Sequence, residues 1–345
     1  MDAFETELNS LHGTLVGLAE KRGEYKRVPL EVHYYNTDYI TKSQAAFILS
    51  FVLMAFMWLV PRSKVLYGGT FATVAIGLGL LVTGIVVRCV IRNRPPITGL
   101  YDTIIFVTAG WGILSLVTEL INKKRIMLSA GSFLGMLGLF LANKYELVEK
   151  KDTMPSLQAV LDTNFWLATH VTAITTGYCV GLLAAAISSF YIIAKFFGFK
   201  AQDKAFYRSM ARMSYGVLAF ALLFSLVGTI LGGVWANDSW GRFWGWDPKE
   251  NGALLICISQ IAILHARLGG YLRQFGLQMA TAAGGVIIAF SWFHVNLLGV
   301  GLHSYGFTDG IYGGLMIYYL IQMSIVGLGV IRLVIDHGVQ KALQS

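Results

Sequence analysis

Long stretches without a charged side chain constrain this sequence more than any other feature. Most of them reach the roughly 20 residues that a helix needs to span a bilayer. Only helices and closed barrels satisfy every backbone group in lipid, and no alternating strand pattern is present, so the sequence predicts an all-α polytopic membrane protein with about nine transmembrane helices. The stretches are Ser43–Pro61, Val65–Val87, Thr103–Thr118, Ile126–Asn143, Thr163–Ala194, Met213–Asn237, Asn251–Ala266, Gln274–Thr308 and Gly310–Ile331.

The basic residues predict how these helices are oriented. Placing the loop after Ala194 in the cytoplasm puts five basic side chains there, as the positive-inside rule expects. Alternation then places the loops around Glu146, Trp240 and Tyr305 on the extracytoplasmic face. The net charge of +8 thus reflects topology, and no nucleic-acid partner is expected. The exceptions to the rule, basic residues on the extracytoplasmic face, are Arg88, Arg92 and Arg94.

Residues 1–43 form a polar N-terminal segment ahead of the apolar domain, residues 44–345. The acidic start of the chain and the lack of a short apolar core argue against a cleaved secretory signal. Apolar side chains recur at three- and four-residue spacing, so residues 1–22 are expected to form an amphipathic helix that lies on the membrane or against a partner. These side chains belong to Phe4, Leu8, Leu11, Leu15 and Leu18.

The most unusual segment runs from Trp235 to Glu250, between two predicted membrane helices. Tryptophans often line membrane interfaces. An interfacial belt spreads its rings over many helix ends, whereas this segment concentrates four of the eight tryptophans and spaces them with Gly241 and Gly245. We expect the rings to fold onto one surface, which suits a large flat aromatic ligand. The candidate binding residues are Trp235, Trp240, Arg242, Phe243, Trp244, Trp246 and Asp247.

Part of this segment also has a structural interpretation. Asp247, Pro248 and Glu250 have the spacing of an N-cap, a first-turn proline and a capping box at the start of the next helix. Arg242 and Lys249 would meet either the carboxylates of a ligand or lipid headgroups. The sequence leaves both alternatives open.

Two histidines are predicted at the membrane depth of the tryptophans. His170 follows the helix-capping candidates Asp162 and Thr163 by about two turns, and His303 lies at or just beyond the end of its helix. Ionisable side chains in membrane spans are by default a functional hypothesis, and haem iron takes axial imidazoles on opposite faces of the macrocycle. The pair is therefore a candidate for haem ligation, with hydrogen-bonded interfacial histidines as the alternative. A zinc site is disfavoured, because the sequence has no His-Glu-x-x-His spacing.

Two further histidines and three cysteines complete the set of candidate ligands. His265 lies near the opposite end of its helix and cannot share a porphyrin with the first two histidines. It would ligate a second, inner haem together with a histidine from another chain, or act as a buried hydrogen-bonding group. His294 is expected to be structural. The cysteines are isolated and form no Cys-x-x-Cys pair, which argues against a thiol oxidoreductase and against covalently held haem. They are Cys89, Cys179 and Cys257.

The tryptophan segment, Trp240-Gly-Arg-Phe-Trp-Gly-Trp-Asp-Pro-Lys-Glu, resembles the WWD signature of haem-handling proteins in cytochrome c maturation. Three further features narrow the resemblance to the CcsA family, also called ResC, of the system II pathway. They are Arg94-Pro-Pro-Ile-Thr-Gly-Leu-Tyr-Asp, His265 fourteen residues after Asn251, and Val295-Asn-Leu-Leu-Gly-Val-Gly-Leu-His-Ser-Tyr-Gly. The resemblance extends over residues 88–332.

The resemblance implies a subunit of a cytochrome c haem lyase that acts with a CcsB-type (ResB-type) membrane partner. Haem b would be exported, held non-covalently at the tryptophans by His170 and His303, and attached through thioether bonds to the Cys-x-x-Cys-His segment of an apocytochrome c. His265 would correspond to the transmembrane histidine of the family, whose mate comes from the partner. The implied location is the bacterial cytoplasmic membrane, or the thylakoid membrane in a plastid or cyanobacterium, with the site facing outside.

Three alternatives stand beside this interpretation. The system I haem-handling proteins CcmC and CcmF differ from this chain in length and in the residues of the tryptophan motif. A haem transporter or chaperone without ligation chemistry would keep the tryptophans but tolerate loss of His170 and His303. A structural membrane subunit, whose tryptophans only mark the interface with lipid, would purify without haem.

Overall fold

A computed structural model describes residues 2–149, 153–154, 163–303 and 310–342, and within these ranges the chain is helical and has no β-strand. Asp162 and Tyr305 lie outside the described residues. A 3-10 turn covers Tyr25–Arg27, and π-helical turns cover Leu167–Val171 and Phe290–His294. The α-helices are α1 (Asp2–Lys21), α2 (Val28–Thr37), α3 (Tyr39–Leu59), α4 (Lys64–Arg92), α5 (Leu100–Asn122), α6 (Ile126–Glu149), α7 (Asn164–Trp166), α8 (Thr172–Phe196), α9 (Lys204–Trp240), α10 (Pro248–Leu268), α11 (Gln274–Ala289), α12 (Val295–Leu297) and α13 (Gly310–Ala342).

The described part of the chain contains nine helical segments that are long and apolar enough to cross a membrane. The predicted polytopic all-α fold is therefore confirmed, and the protein is a multi-pass membrane protein. The first segment starts at Tyr25, before the first uncharged stretch, and residue 43 falls within α3. The segments are Tyr25–Leu59, Lys64–Arg92, Leu100–Asn122, Ile126–Leu147, Asn164–Phe196, Lys204–Trp240, Pro248–Leu268, Gln274–His294 and Tyr312–His337.

Two groups of helices share the interior. Helices α3 to α6 pack together around Phe47, Leu81 and Leu139, which are fully buried. Helix α8 is central to the second group, because it packs against α9, α11 and α13 and also contacts α5 of the first group. Leu183 of α8 is likewise fully buried. Helices α8 and α9 pack against each other and together position the candidate functional site.

Small residues let α8 and α9 approach each other closely. A Cβ atom on Gly177 would lie 2.7 Å from the backbone nitrogen of Ser225, and one on Gly228 would lie 2.7 Å from the Cα atom of Ile174. Membrane helices commonly use such residues to bring their backbones together. The contact places the π-helical turn before α8, which carries His170, against the last turns of α9.

The arginines that do not follow the positive-inside rule have partners within the protein, an aspartate for Arg88 and Arg92 and an asparagine for Arg94. Arg88 Nη2 lies 2.7 Å from Asp102 Oδ1, and Arg92 Nη1 lies 2.9 Å from Asp102 Oδ2. Arg88 and Asp102 are only 3% and 4% exposed. Arg94 Nη1 lies 3.3 Å from Asn164 Oδ1 at the start of α7. The three arginines therefore fix the junctions between helices α4, α5 and α7.

Candidate functional site

A small cavity of about 20 Å³ lies at the end of the bundle that carries the tryptophans. It is enclosed by the π-helical turn before α8, the last turns of α9 and the segment after α12. We call it the histidine cavity, because both histidines singled out from the sequence lie on its wall. The lining residues are His170, Gly232, Trp235, Ala236, Ser239, Trp240 and His303.

His170 is oriented by a backbone carbonyl and by a glycine. Its Nδ1 atom lies 2.8 Å from the carbonyl oxygen of Gly228, and because a carbonyl only accepts, Nδ1 donates its hydrogen there. The Nε2 atom of the neutral ring therefore keeps its lone pair. A Cβ atom on Gly232 would lie 2.6 Å from His170 Cε1, so the missing side chain makes room for the ring. Upstream, Thr163 caps α7 through the backbone nitrogen of Trp166, as predicted.

The close contact at Gly232 leads to a first prediction. In Gly232→Ala the new methyl group displaces the imidazole of His170 and breaks its bond to Gly228, because the ring can move more easily than the helix. If the cavity holds the haem expected from the sequence, we expect a several-fold loss of haem retained per purified protein, with unchanged protein yield. Gly216→Ala is the matched control, since a Cβ atom at this position in the same helix meets open space. Equal haem retention by both variants would contradict the assigned role of Gly232.

His303 is fixed by Asp247 on the far side of the cavity. Asp247 Oδ1 lies 3.3 Å from His303 Nδ1, and Asp247 Oδ2 accepts from the backbone nitrogen atoms of Leu302 at 2.6 Å and His303 at 3.4 Å. Gly301 has a φ of +90°, and a Cβ atom there would overlap the same carboxylate. A glycine at this position thus permits both the left-handed backbone and the close approach of Asp247.

Burial and hydrogen bonding set the charge states of this pair. Burial lowers the pKa of His303 below its usual value, although the charge of Asp247 partly opposes the effect. Burial alone would raise the pKa of Asp247, but hydrogen bonds from the Lys249 and Leu302 backbone, together with His303, hold it below its usual value. Near neutral pH we therefore expect an ionised carboxylate beside a neutral imidazole.

The pairing of Asp247 with His303 leads to a second prediction. Asp247→Asn keeps a side-chain acceptor for the helix cap but removes the negative charge beside the imidazole. Partners of this kind raise the basicity of a ligating histidine, and their loss typically lowers affinity or activity about 10- to 100-fold. For the haem expected from the sequence, we expect a comparable loss of affinity and a higher midpoint potential of its iron. Haem titration and spectroelectrochemistry measure both quantities, and an unchanged potential would show that Asp247 only caps the helix.

The capping box predicted from the sequence is present, and it also shapes the tryptophan connection. Glu250 Oε2 accepts from the backbone nitrogen atoms of Gly245 at 2.7 Å and Asp247 at 3.1 Å. Between these two positions Trp246 adopts a φ of +56°, in the left-handed region that large side chains rarely occupy. Asn251 Nδ2 donates to the Trp246 carbonyl at 3.0 Å and helps to hold this conformation.

The structure does not place all four tryptophans around the histidine cavity. Trp235 and Trp240 belong to the last turns of α9 and not to a loop, because the helix continues beyond the uncharged stretch. Trp235 stacks on Trp166 at 6.4 Å and meets the ring of His170 edge-on, while Trp240 meets His303 edge-on. Trp244 and Trp246 pack on each other at 6.2 Å in the connection that follows, outside the cavity lining.

Both basic side chains of the segment have protein partners. Arg242 Nη1 lies 3.1 Å from Glu250 Oε1, and its guanidinium group lies over the ring of Trp240. Lys249 donates to the carbonyl oxygen of Trp292 in the second π-helical turn. Phe243 fills the space over Gly233, where a Cβ atom would lie 2.5 Å from its ring. Arg242 is the more exposed of the two basic side chains and the better placed to meet an incoming anion.

The remaining histidines are apart from the cavity. His265 is exposed and lies 18 residues after Asp247, roughly 27 Å along the helix at 1.5 Å per residue, so the two ends of α10 cannot contact one porphyrin. Its Nδ1 atom donates to the Ile261 carbonyl at 2.9 Å. His294 packs among Phe290, Tyr312 and Tyr319 and does not line the histidine cavity.

Two features of the site were not identified from the sequence. Gly228 orients His170 through its carbonyl group, and Gly232 makes room for the ring. Trp166, expected on the same helix face as His170, extends the aromatic wall by stacking on Trp235. The adjacent glycines at positions 232 and 233 interrupt an otherwise apolar helix, and from this pattern a close contact with another part of the protein could have been predicted. A bond from Gly228 to a residue 58 positions away has no comparable signal in the sequence.

Comparison with known proteins agrees with the family resemblance seen in the sequence. Residues 97–303 match the family model described as "Cytochrome C assembly protein", a range that ends at His303 and includes the whole cavity lining. Similar proteins are named cytochrome c biogenesis protein CcsA. The chain is 26% identical to that of Chlorella vulgaris, over 77% of this chain and 96% of the relative. It is 28% identical to the Gossypium hirsutum protein, over 66% of this chain and 81% of the relative. It is 26% identical to the protein of Synechococcus sp. (strain CC9902), over 76% of this chain and 94% of the relative. The resemblance to CcsA is confirmed.

Proposed function

The chain belongs to the cytochrome c assembly protein family, and on that premise we propose that it holds haem b between His170 and His303 for attachment to an apocytochrome c. One observation carries the proposal. Two imidazoles line a single cavity: the Gly228 carbonyl orients the ring of His170, and the ring of His303 lies beside the Asp247 carboxylate. Neutral imidazoles fixed in this way by outer partners are typical axial ligands of haem iron.

The walls of the cavity suit a flat aromatic ligand. The rings of Trp235 and Trp240 lie beside the two imidazoles and offer apolar faces and edges. At about 20 Å³ the cavity is far smaller than the ~300–1,000 Å³ of pockets that enclose whole ligands. A haem held by its iron would therefore project from the cavity, which gives a second protein access to the edge of the macrocycle.

The chemistry requires positioning more than a dedicated nucleophile. In each thioether bond a substrate thiol adds across a haem vinyl group, so that sulfur bonds to one carbon, hydrogen to the other, and nothing leaves. Holding the reacting groups in the right geometry is a large contribution to such a step. His170 and His303 would fix the iron, and Arg242 would meet a haem propionate at the rim. The histidine of the Cys-x-x-Cys-His segment would then replace one imidazole and release the product.

The orientation and the partner are part of the same proposal. Basic residues cluster at the opposite end of the bundle, around the connection between α8 and α9, so the histidine cavity would face the extracytoplasmic side. His265 is exposed near that opposite end and has Nε2 available, so it would hold an incoming haem together with a histidine of a CcsB-type membrane partner. Haem would thus be taken up near His265 and presented near His170.

A reporter assay tests the proposal. The chain is produced with its CcsB-type partner in cells that lack their own cytochrome c maturation, together with an exported reporter that carries one Cys-x-x-Cys-His segment. We expect haem covalently bound to the reporter, and none when its two cysteines are replaced by serine. Trp244→Cys should react with a membrane-impermeant thiol reagent added outside whole cells. Haem bound to the complex with no attachment would instead favour a haem transporter, and a colourless complex would favour a structural subunit.

A further inference from the structure

Helix α1 carries an exposed apolar seam. Its five large apolar side chains are all more than half exposed: Phe4 75%, Leu8 51%, Leu11 56%, Leu15 56% and Leu18 53%. They follow one another at intervals of four, three, four and three residues. This spacing is the 3.5-residue repeat of a coiled-coil seam, narrower than the face of a helix that packs on a globular core.

The composition of α1 indicates that the helix needs a partner surface. Isolated helices of this length are marginal in water. Gly13 and Gly17 lie in its interior, and each costs about 1 kcal/mol relative to alanine in an exposed helix. Five leucine and phenylalanine side chains left in water add a further cost, which burial against another helix would remove.

The charges on α1 argue against lipid as that surface. Helices that lie in the membrane interface carry lysine and arginine on their polar face and are attracted by anionic lipids. Between Asp2 and Lys21 the helix has four acidic side chains and a single basic one, Lys21. An anionic bilayer would repel such a helix. A protein surface with a matching seam is the better complement.

A second copy of α1 supplies that surface when the two helices run antiparallel. In the heptad, Leu8 and Leu15 occupy a positions, Leu11 and Leu18 occupy d positions, and Glu7 and Lys21 occupy flanking g positions. If Leu8 faces Leu18 of the second copy, then Leu11 faces Leu15. This register also places Glu7 beside Lys21 of the second copy at both ends of the pair. A parallel pairing instead leaves Lys21 without an acidic partner within the helix.

We propose that two copies of this chain associate through an antiparallel coiled coil formed by their α1 helices. Antiparallel helices are related by a two-fold axis perpendicular to their length. An axis of that kind can coincide with the membrane normal, so both copies keep the same orientation in the bilayer. The seam covers about two heptads, and confinement of both chains to one membrane raises the effective concentration of the helices. The association does not depend on haem binding.

Disulfide mapping in native membranes tests the proposed register. Leu8→Cys and Leu18→Cys are made in separately tagged full-length chains, with Cys89, Cys179 and Cys257 retained because they are half-buried or buried. Co-produced chains should form a disulfide between the two tags under mild oxidation. Each variant alone should not, because identical positions lie about 15 Å apart along the axis in this register, beyond the ~7 Å Cα separation that a disulfide spans.

Two further results decide the pairing. Glu7→Lys should remove most of the mixed disulfide product, and Glu7→Lys combined with Lys21→Glu should restore it, since the swap re-creates both ion pairs. A disulfide between two Leu8→Cys chains would show a parallel pair and overturn the register. No disulfide in any combination would overturn self-association and leave another protein or lipid as the occupant of the seam.

Discussion

His170→Gly and His303→Gly should each reduce covalent haem attachment more than tenfold. Removing only a hydrogen-bonding partner of a ligating histidine already lowers metal affinity or activity about 10- to 100-fold. Either substitution removes one of the two imidazoles that face the histidine cavity, while the tryptophan wall remains. A glycine leaves a space of the size of the lost ring. Imidazole added to the medium should therefore enter that space and restore part of the attachment activity.

His294→Gly is the matched control for this experiment. His294 lies in the other π-helical turn, but its ring packs against Phe290 and Tyr312 and does not line the histidine cavity. We expect attachment to continue and added imidazole to have no effect. Rescue of His294→Gly by imidazole, or full activity of His170→Gly without it, would contradict the assignment of the ligands.

Asp102→Asn should destabilise the fold by about 3–5 kcal/mol, the usual effect of removing one member of a buried ion pair. The change is nearly isosteric, but it leaves the buried Arg88 and the half-buried Arg92 without their shared carboxylate. Because Arg88 is 3% exposed, water cannot compensate for the loss. Thermal unfolding in detergent and the amount of protein in the membrane should both report the change.

Asp336→Asn provides the comparison. Arg332 and Asp336 form an i,i+4 pair at 2.9 Å whose side chains are 31% and 43% exposed. Pairs of this kind contribute about 0.3–0.5 kcal/mol. Equal effects of the two substitutions would show that the Asp102 cluster is solvated in the protein and does not fix the junction between α4 and α5.

The sequence predicts the membrane helices well because their length and lack of charge follow directly from the solvent they occupy. The lack of charge did not predict the C-terminal end of α9. The sequence analysis assigned Trp235 and Trp240 to a segment between two helices, whereas the helix continues to Trp240. The arginines at 88 and 92 contradict a rule about membrane charge, and only the structure shows the carboxylate that neutralises them.

The site itself is predicted in part. The sequence placed His170 and His303 at one depth, because topology fixes the depth of a residue in a bilayer. It identified Asp247 as a helix cap from local spacing alone. The second role of Asp247, which holds Leu302 and His303, depends on a contact 55 residues away and has no local signal. The same is true of the Gly228 carbonyl that orients His170.

Low-temperature electron paramagnetic resonance of the oxidised complex tests the central claim most directly. Two imidazole ligands produce low-spin ferric haem, so a haem held at the proposed site should be low-spin in the unaltered protein and high-spin in both His170→Gly and His303→Gly. Each protein is loaded with added haem in detergent, so that occupancy of the site does not depend on uptake through His265. His265→Ala in the background then removes a contribution from any inner haem. An unchanged low-spin signal in either single-glycine variant would contradict ligation by this pair.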